Sequence, residues 1–180
     1  MTKRKRSDVA LFGLAALIIA ADQWTKYWVR QTIPLYRSAM PIEWLEPYVR
    51  FTHIQNPGAA FGLGQDFGNL LIVTALFAVL LIVLYFRRLA VDSLLLRLAL
   101  GLQLGGAVGN LIDRLTIGAV IDFVDLGWFP VFNVADSAIT IGSVLLAYYA
   151  IFLDRPIFEP DEAESQDEHN AQCESIETSG

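Results

Sequence analysis

The residues of this sequence that could do chemistry are mainly carboxylates, accompanied by amides and bases at short spacings. They are Asp22, Lys26, Asn110, Asp113, Arg114, Asp122, Asp125, Asn133 and Asp136. Two carboxyl groups in contact do not both ionise cheaply, so one keeps a proton while the other is charged. The charged group can activate water and the protonated group can polarise a carbonyl, which together give hydrolysis by an aspartate pair.

Other hydrolytic chemistries lack their sequence signatures. There is no Gly-x-Ser-x-Gly elbow, no His-Glu-x-x-His zinc pattern and no recognisable Ser/Lys pair. The single cysteine, Cys173, lies near the end of the chain, so neither a disulfide framework nor a thiolate metal site is expected. We predict that His53 is a surface histidine rather than a base.

Several of these residues also have structural interpretations. Asp22 and Lys26 are four apart with the acid first, the favourable order for an ion pair on one helix. Asn133 fits a helix cap, with Asp136 at the third position, where a carboxylate interacts well with the helix dipole. These roles are compatible with catalysis, because a carboxylate held at a helix start is well positioned.

The end of the third predicted helix carries an amide, Asn110, and two charged residues, Asp113 and Arg114. Asn110 and Arg114 share a helix face, where they could brace a carboxylate or satisfy the helix end. Spacing alone does not decide which aspartates pair: Asp113 and Asp125 compete with the two acids nearer the fourth helix, Asp122 and Asp136.

The elements that position these residues are predicted to be membrane helices. Hydrophobic residues make up 54% of the 180, and mean hydropathy is +0.46, both high for a soluble protein. Only helices of about 20 apolar residues, or a closed barrel, satisfy their own backbone in a bilayer, and a barrel would alternate. Four stretches qualify as helices: residues 9–28, 67–86, 94–112 and 134–153.

Positive charges in short flanks predict the orientation. Basic residues lie at 3–6 before the first span and at 87–97 around the turn after the second, so both termini should be cytoplasmic. The polar residues at the span ends then fall at the periplasmic face, and the loop that carries Asp122 joins them there. A cleaved signal peptide at the N-terminus is the alternative, but it would leave only three spans.

Between the first two spans, a loop at about residues 31–66 is long for a connector. Residues 48–55 alternate weakly, as a strand does, and end at the turn signal Asn56-Pro57-Gly58. The predicted fold is therefore an all-α membrane protein with four transmembrane helices and a small β-containing periplasmic cap. This domain occupies residues 1–153, and Gly101, Gly105 and Gly109 should let a neighbouring helix approach closely.

The remaining residues, 154–180, form an acidic segment. It holds nine of the 19 acids and one of the 13 Lys and Arg. Few aromatics and high charge predict a disordered cytoplasmic tail. The other 153 residues carry 12 bases against ten acids, a charge of +2, and without a dense basic stripe no nucleic-acid partner is expected.

Five motifs together resemble the lipoprotein signal peptidases (signal peptidase II). They are residues 22–26 (DQWTK), 56–62 (NPGAAFG), 105–114 (GGAVGNLIDR), 120–123 (VIDF) and 132–137 (FNVADS). The resemblance covers about residues 8–153 and agrees in order, spacing and span placement. It implies four helices with an outer-face cap.

By this resemblance, Asp122 and Asp136 form the catalytic dyad and Asp113 is not a member. Around the site, the family positions correspond to Asp22, Lys26, Asn56, Asn110, Arg114 and Asn133. The family is an inner-membrane aspartic endopeptidase that uses no metal or other cofactor. It cleaves prolipoproteins just before a diacylglyceryl-modified cysteine, and the cyclic peptide globomycin inhibits it.

Two rival functions come from other classes. A carboxylate-based transporter or proton channel would need acids on both sides of the membrane, and the cytoplasmic halves of the spans are nearly bare of acids. A non-enzymatic scaffold would leave the clustered Asp122 and Asp136 unexplained. We expect a monomer whose surroundings are membrane lipid.

Overall fold

The computed structural model describes residues 3–40, 43–58, 67–88 and 93–153. Four α-helices and three short β-strands make up this part of the chain. The helices are α1 (Lys3–Thr32), α2 (Phe67–Arg88), α3 (Leu94–Thr116) and α4 (Val134–Phe152), and the strands are β1 (Ser38–Ala39), β2 (Arg50–Asn56) and β3 (Val120–Asp125). A single 3-10 turn, Glu43–Leu45, lies between β1 and β2. The predicted tail falls outside the described residues.

Three of the helices are long and apolar enough to cross a membrane: Val9–Thr32, Leu94–Thr116 and Val134–Phe152. The apolar part of α2 that can be assessed is the shorter stretch Leu70–Leu84. Three of the four predicted spans are therefore found as apolar helices of membrane-crossing length, and the fourth stays a prediction.

Helix α3 is the centre of the bundle, because it packs against each of the other three helices. A Cβ at Gly101 would lie 3.0 Å from the Leu11 carbonyl oxygen, and one at Gly105 would lie 2.9 Å from that of Ala15. Residue numbers at the contacts therefore increase in the same direction along both helices, so α1 and α3 are parallel. The packing role predicted for these glycines is confirmed.

The contacts between α3 and α4 run the other way. A Cβ at Gly106 would lie 2.5 Å from the Ala135 carbonyl oxygen, and one at Gly142 would lie 2.9 Å from that of Ala99. Helix α4 is therefore antiparallel to α3. The end of α1, the end of α3 and the start of α4 consequently meet at one end of the bundle.

A three-stranded antiparallel sheet in the order β1-β2-β3 covers that end. Strand β2 lies within two residues of the predicted strand, but β3 replaces part of what was predicted as a loop. The sequence of β3, VIDFVD, has four apolar residues and two aspartates, and five of its six residues are buried. Such a strand lacks the alternation that identifies a half-buried one.

The register between β2 and β3 shifts once. Phe51 pairs with Val124 and Ile54 pairs with Asp122, so β2 has one extra residue between these pairs. This is a β-bulge, which bends a strand and redirects its side chains. Beyond it, Asn56 pairs with Val120 and reaches the candidate site described below.

The sheet is attached to the end of α1 by an apolar cluster. Val29 of α1 and Ile33, which directly follows that helix, are buried with Ile121 and Phe123 of β3. Phe51 of β2 is partly buried against the same cluster. The strand that carries Asp122 is therefore fixed on the first helix by two side chains, one on each side of that aspartate.

The prediction that His53 lies on the surface is wrong. His53 is 6% exposed, and its Nδ1 atom lies 2.8 Å from the Ile33 carbonyl oxygen. A carbonyl only accepts, so Nδ1 is the donor in this contact. The β-bulge adds one residue to β2 between Phe51 and Ile54, where His53 lies. The alternation of residues along a single strand does not reveal such an insertion, so it does not predict which side chains are buried there.

Candidate active site

The start of α4 is held by Asn133 in the way the sequence predicts. The Asn133 Oδ1 atom accepts a hydrogen bond from the Asp136 backbone N–H at 2.9 Å. In return, the Asp136 Oδ2 atom accepts from the Asn133 backbone N–H at 3.2 Å. This reciprocal capping box satisfies two backbone donors of the helix start, and it fixes the Asp136 carboxylate.

The same asparagine also holds the second aspartate. Its Nδ2 atom donates to the Asp122 Oδ1 atom at 2.7 Å and to the Ile121 carbonyl oxygen at 3.3 Å. Asn133 is completely buried, so its side chain has little freedom to move. Asp122 of β3 and Asp136 of α4 are therefore brought together on one residue.

The two remaining carboxylate oxygens each have their own amide donor. Asn56 Nδ2 donates to the Asp122 Oδ2 atom at 3.0 Å, and Asn110 Nδ2 donates to the Asp136 Oδ1 atom at 2.7 Å. Asn56 is oriented by a tight turn, because the Gly58 N–H donates to its Oδ1 atom at 3.0 Å. Gly58 has a φ of 103°, which side-chain-bearing residues rarely adopt.

Asp122 is the more deeply buried of the two acids, with an exposed fraction of 3%, whereas Asp136 is partly exposed. Burial raises the pKa of Asp122 to about 6, and the Asp136 charge adds to this effect. The hydrogen bonds from Asn56 and Asn133 and the charge of Lys26 oppose it. An aspartate with such a pKa can hold a proton near neutral pH, as one member of a dyad must.

Beneath the pair lies a buried ionic layer centred on Lys26. Its Nζ atom is 2.8 Å from Asp22, 2.9 Å from Asp113 and 2.9 Å from the Asn110 Oδ1 atom. The predicted helical ion pair between Asp22 and Lys26 is confirmed. Lys26 is 1% exposed, and removing one partner of such a buried pair typically costs 3–5 kcal/mol.

Asp113 belongs to this ionic layer, and it also positions β3. Its Oδ2 atom accepts from the Ile121 backbone N–H at 3.0 Å, next to Asp122 in the chain. Asp22 does the same for α4, because its Oδ1 atom accepts from the Ala135 N–H at 2.9 Å, next to Asp136. Each of these two acids thus fixes the residue before a candidate catalytic aspartate.

Asp125 lies at the other end of β3 and is engaged elsewhere. Its Oδ2 atom accepts from Arg50 Nε at 2.6 Å and from Thr52 Oγ1 at 2.8 Å, and its Oδ1 atom accepts from the Gly127 N–H at 2.8 Å. Although burial acts in the opposite direction, these hydrogen bonds lower the pKa of Asp125. A charged carboxylate held by this set of donors is suited to fixing the turn after β3.

Arg114 supplies positive charge near the pair. Its Nη1 atom donates to the Asn110 carbonyl oxygen at 3.4 Å, and its charge is attracted to Asp136, Asp122 and Asp113. The eight site residues given by the family resemblance, namely the two aspartates of the candidate dyad and the six positions around them, therefore lie in one connected cluster. In the described part of the chain, no group of three or more His, Cys, Asp and Glu residues could hold a metal ion.

Gln23 is a member of this cluster that the sequence reasoning did not single out. Its Nε2 atom is 3.1 Å from the Gly109 carbonyl oxygen and 3.1 Å from the Asp113 Oδ1 atom, so it joins α1 to α3. The available signal was its place beside Asp22 in the polar outer turn of a span. A neutral amide at a span end is common enough that this signal was weak.

A bundle of apolar helices that buries a carboxylate pair at one end is the architecture of a membrane-embedded peptidase of the aspartic type. Comparison with known proteins narrows this class. The family model for signal peptidase (SPase) II matches residues 14–152, so the chain belongs to the signal peptidase II family. Members of this family are proteases that remove signal peptides from prolipoproteins, and the resemblance seen in the sequence is confirmed.

Individual relatives agree with this assignment. The lipoprotein signal peptidase of Moorella thermoacetica is 45% identical over 136 residues, covering 75% of this chain and 88% of its own. That of Acinetobacter baylyi is 40% identical over 151 residues, covering 79% and 82%. A solved bacterial membrane enzyme is similar in structure, with a TM-score of 0.72 and 30% identity over 84% of this chain and 94% of its own.

Proposed function

We propose that Asp122 and Asp136 are the catalytic dyad of this lipoprotein signal peptidase, and that it cleaves prolipoproteins just before a diacylglyceryl-modified cysteine. The observation that carries the dyad is the shared Asn133, which donates to Asp122 through its side chain and to Asp136 through its backbone. Two carboxyl groups so placed can share a single proton.

The reaction follows from that shared proton. The ionised carboxylate takes a proton from a water molecule as the water oxygen bonds to the scissile carbonyl carbon, and the protonated carboxyl transfers its proton to the carbonyl oxygen. In the second step, the C–N bond breaks as the proton held by the first carboxyl moves to the leaving nitrogen. The second carboxyl recovers its proton from the collapsing diol, so the dyad returns to its starting state.

The surrounding residues keep this geometry fixed. Asn56, Asn110 and Asn133 hold the carboxylate oxygens, and Arg114 balances their charge. The pair lies at the ends of apolar helices, where a lipid-modified cysteine could rest with its acyl chains in the bilayer, so substrate would enter sideways from lipid.

Cleavage of a purified prolipoprotein in detergent tests this function. Precursor that carries diacylglycerol on its cysteine should be cut immediately before that cysteine, and globomycin should inhibit the reaction. The matched control is the same precursor without the lipid, which should remain intact. No cleavage of the modified precursor by folded protein would contradict the proposal, and it is the outcome expected of a transporter or a scaffold.

The proposed setting is the bacterial inner membrane, with four spans, both termini in the cytoplasm and the site at the periplasmic face. The position and length of helix α2 support its role as the remaining one of the four spans. Near its start Leu71 lies against Gly58, which follows the cap strand β2, whereas α3 begins at the opposite end of the bundle. A helix of 22 residues is about 33 Å long at about 1.5 Å per residue, enough to return the chain across the hydrocarbon.

Cysteine labelling from outside the cell checks this orientation. In a chain with Cys173→Ser, Glu43→Cys in the cap should react with a maleimide that cannot cross the membrane. Arg88→Cys, at the last residue of α2, should react only when the membrane is permeabilised, because positive flanking residues stay in the cytoplasm. Labelling of position 88 in intact spheroplasts would show that the orientation is reversed.

The tail of residues 154–180 should be dispensable for cleavage. Its composition favours disorder over packing. An enzyme truncated after Leu153 should therefore cleave prolipoprotein at the rate of the full chain when both are purified in the same detergent. A clear loss of activity in the truncated enzyme would assign a role to the tail.

A further inference from the structure

The orientation of the asparagine side chains around the pair is defined on both sides. Each donates through Nδ2 to a candidate catalytic carboxylate, and each has its Oδ1 atom engaged by a separate donor. These donors are Gly58 N for Asn56, Lys26 Nζ together with Asn133 Nδ2 for Asn110, and Asp136 N for Asn133. Because an ammonium can only donate, the contact with Lys26 forces the Asn110 amide to present its N–H to Asp136.

One of the two donors that orient Asn110 is a cation, Lys26, and the other is the neutral amide of Asn133 at 3.2 Å. The other asparagines are oriented by neutral backbone N–H groups. A charged donor polarises the amide that it contacts, and hydrogen bonds in such chains strengthen one another. The Asn110 N–H is thereby made a better donor to the Asp136 Oδ1 atom, which it reaches at 2.7 Å.

The charges around the pair otherwise cancel. Lys26 and Arg114 contribute two positive charges, and Asp22 and Asp113 contribute two negative ones, so the sum is zero. These four groups come from α1 and α3, the elements packed behind the pair. Among the described residues, a single negative charge shared by Asp122 and Asp136 is therefore the net charge of the site, and its location depends on which carboxylate is better stabilised.

We propose that Lys26 is a positioning residue that acts through Asn110 to keep Asp136 as the ionised base, which leaves the proton on Asp122. This inference rests on the proposed dyad. Asp136 has three features that favour charge: the Lys26–Asn110 chain, the helix start of α4 and partial exposure to water. Asp122 lies on a strand and is 3% exposed, and its amide donors Asn56 and Asn133 are oriented by neutral N–H groups. The Lys26 charge lowers the pKa of Asp122 only as the smallest of several causes.

Burial at β3 also raises the pKa of Asp122 to about 6, in agreement with its role as the protonated member. The base must be ionised for turnover, so its protonation produces the acid limb of the kcat–pH profile. Lys26 favours the ionised base, whereas Asp113 partly neutralises Lys26. Substitutions at these two positions should therefore move the acid limb in opposite directions.

The test is the kcat–pH profile of Lys26→Met and Asp113→Asn, measured with saturating diacylglyceryl prolipoprotein. Lys26→Met should move the acid limb to higher pH by about one unit, at the lower end of the effect of a nearby opposite charge. Asp113→Asn should move it to lower pH. A purely structural role would reduce the amount of active enzyme in both variants without moving either profile.

One further variant keeps the test decisive. If Lys26→Met alone does not fold, the double variant Asp22→Asn/Lys26→Met removes both members of the ion pair and should still shift the acid limb upward, but by less, because a negative charge is removed as well. Should that fail as well, Asp113→Asn carries the test by its downward shift. An acid limb that stays in place in a folded variant, or that moves the same way in both, would overturn the role of Lys26.

This failure is distinguishable from failure of the dyad itself. If only the inference is wrong, Asp122→Asn and Asp136→Asn enzymes remain inactive while the acid limb does not respond to Lys26. If the dyad is wrong, those two variants still cleave.

Discussion

Replacing either Asp122 or Asp136 by asparagine should lower the rate of prolipoprotein cleavage by at least ~10³-fold, as removal of one member of a catalytic unit does. Asparagine preserves the shape of the side chain but can neither ionise nor release a proton. In the proposed mechanism, the change removes the base at Asp136 and the proton that polarises the carbonyl at Asp122. Single-turnover assays with purified enzyme in excess would measure the loss directly.

Asp125→Asn is the matched control for these variants. It makes the same chemical change on the same strand as Asp122, but at a carboxylate held by Arg50 and Thr52. It should therefore retain more activity, as should Asp113→Asn if it folds. Each variant must insert in the membrane and bind globomycin or substrate. Folded Asp122→Asn or Asp136→Asn protein that cleaves at a near parental rate would show that the pair is structural.

Gly106→Ala should impair both folding and cleavage. A Cβ at Gly106 would lie 2.5 Å from the Ala135 carbonyl oxygen and 2.7 Å from Ile139 Cγ1. The first contact is with backbone, so relief requires the start of α4 to move, and Asp136 moves with it. Such overpacking costs about 1–3 kcal/mol, and a displacement near 1 Å can reduce a rate by about 10²-fold.

Gly13→Ala is the comparison that isolates this close approach. A Cβ at Gly13 has nothing within 4 Å, and in a helix alanine is favoured over glycine by about 1 kcal/mol. This variant should be as stable as the parent or more so, with unchanged cleavage. Thermal unfolding in detergent and cleavage rates would compare the two. If Gly106→Ala matched Gly13→Ala in both, α3 and α4 would not be in the contact described.

The parts of the fold that could be predicted from the sequence are those that depend on neighbouring residues. The capping box of Asn133 and Asp136 lies within four residues, and the ion pair of Asp22 and Lys26 lies on one helical face. Apolar length identified the helices, and the spacing of Gly101 and the glycines after it identified the packing face of α3.

The parts that could not be predicted depend on pairing between distant segments. Strand β3 is recognised only when β2 lies beside it, because five of its six residues are buried without alternation and its pairing partner is distant in the chain. The burial of His53 depends on the end of α1. Likewise, spacing left Asp113 and Asp125 as competitors, and only their partners Lys26 and Arg50 distinguish them from the candidate dyad.

The most direct measurement of the central claim is a double-mutant cycle on Asp122 and Asp136. If the two carboxyls act as one unit, Asp122→Asn/Asp136→Asn should cleave scarcely more slowly than either single variant, because a dyad that has lost one carboxyl has already lost its mechanism. Independent contributions would instead multiply, so that the double variant showed the product of the two single losses. That multiplicative result, in protein that still binds globomycin, would contradict the assignment of these aspartates as a catalytic pair.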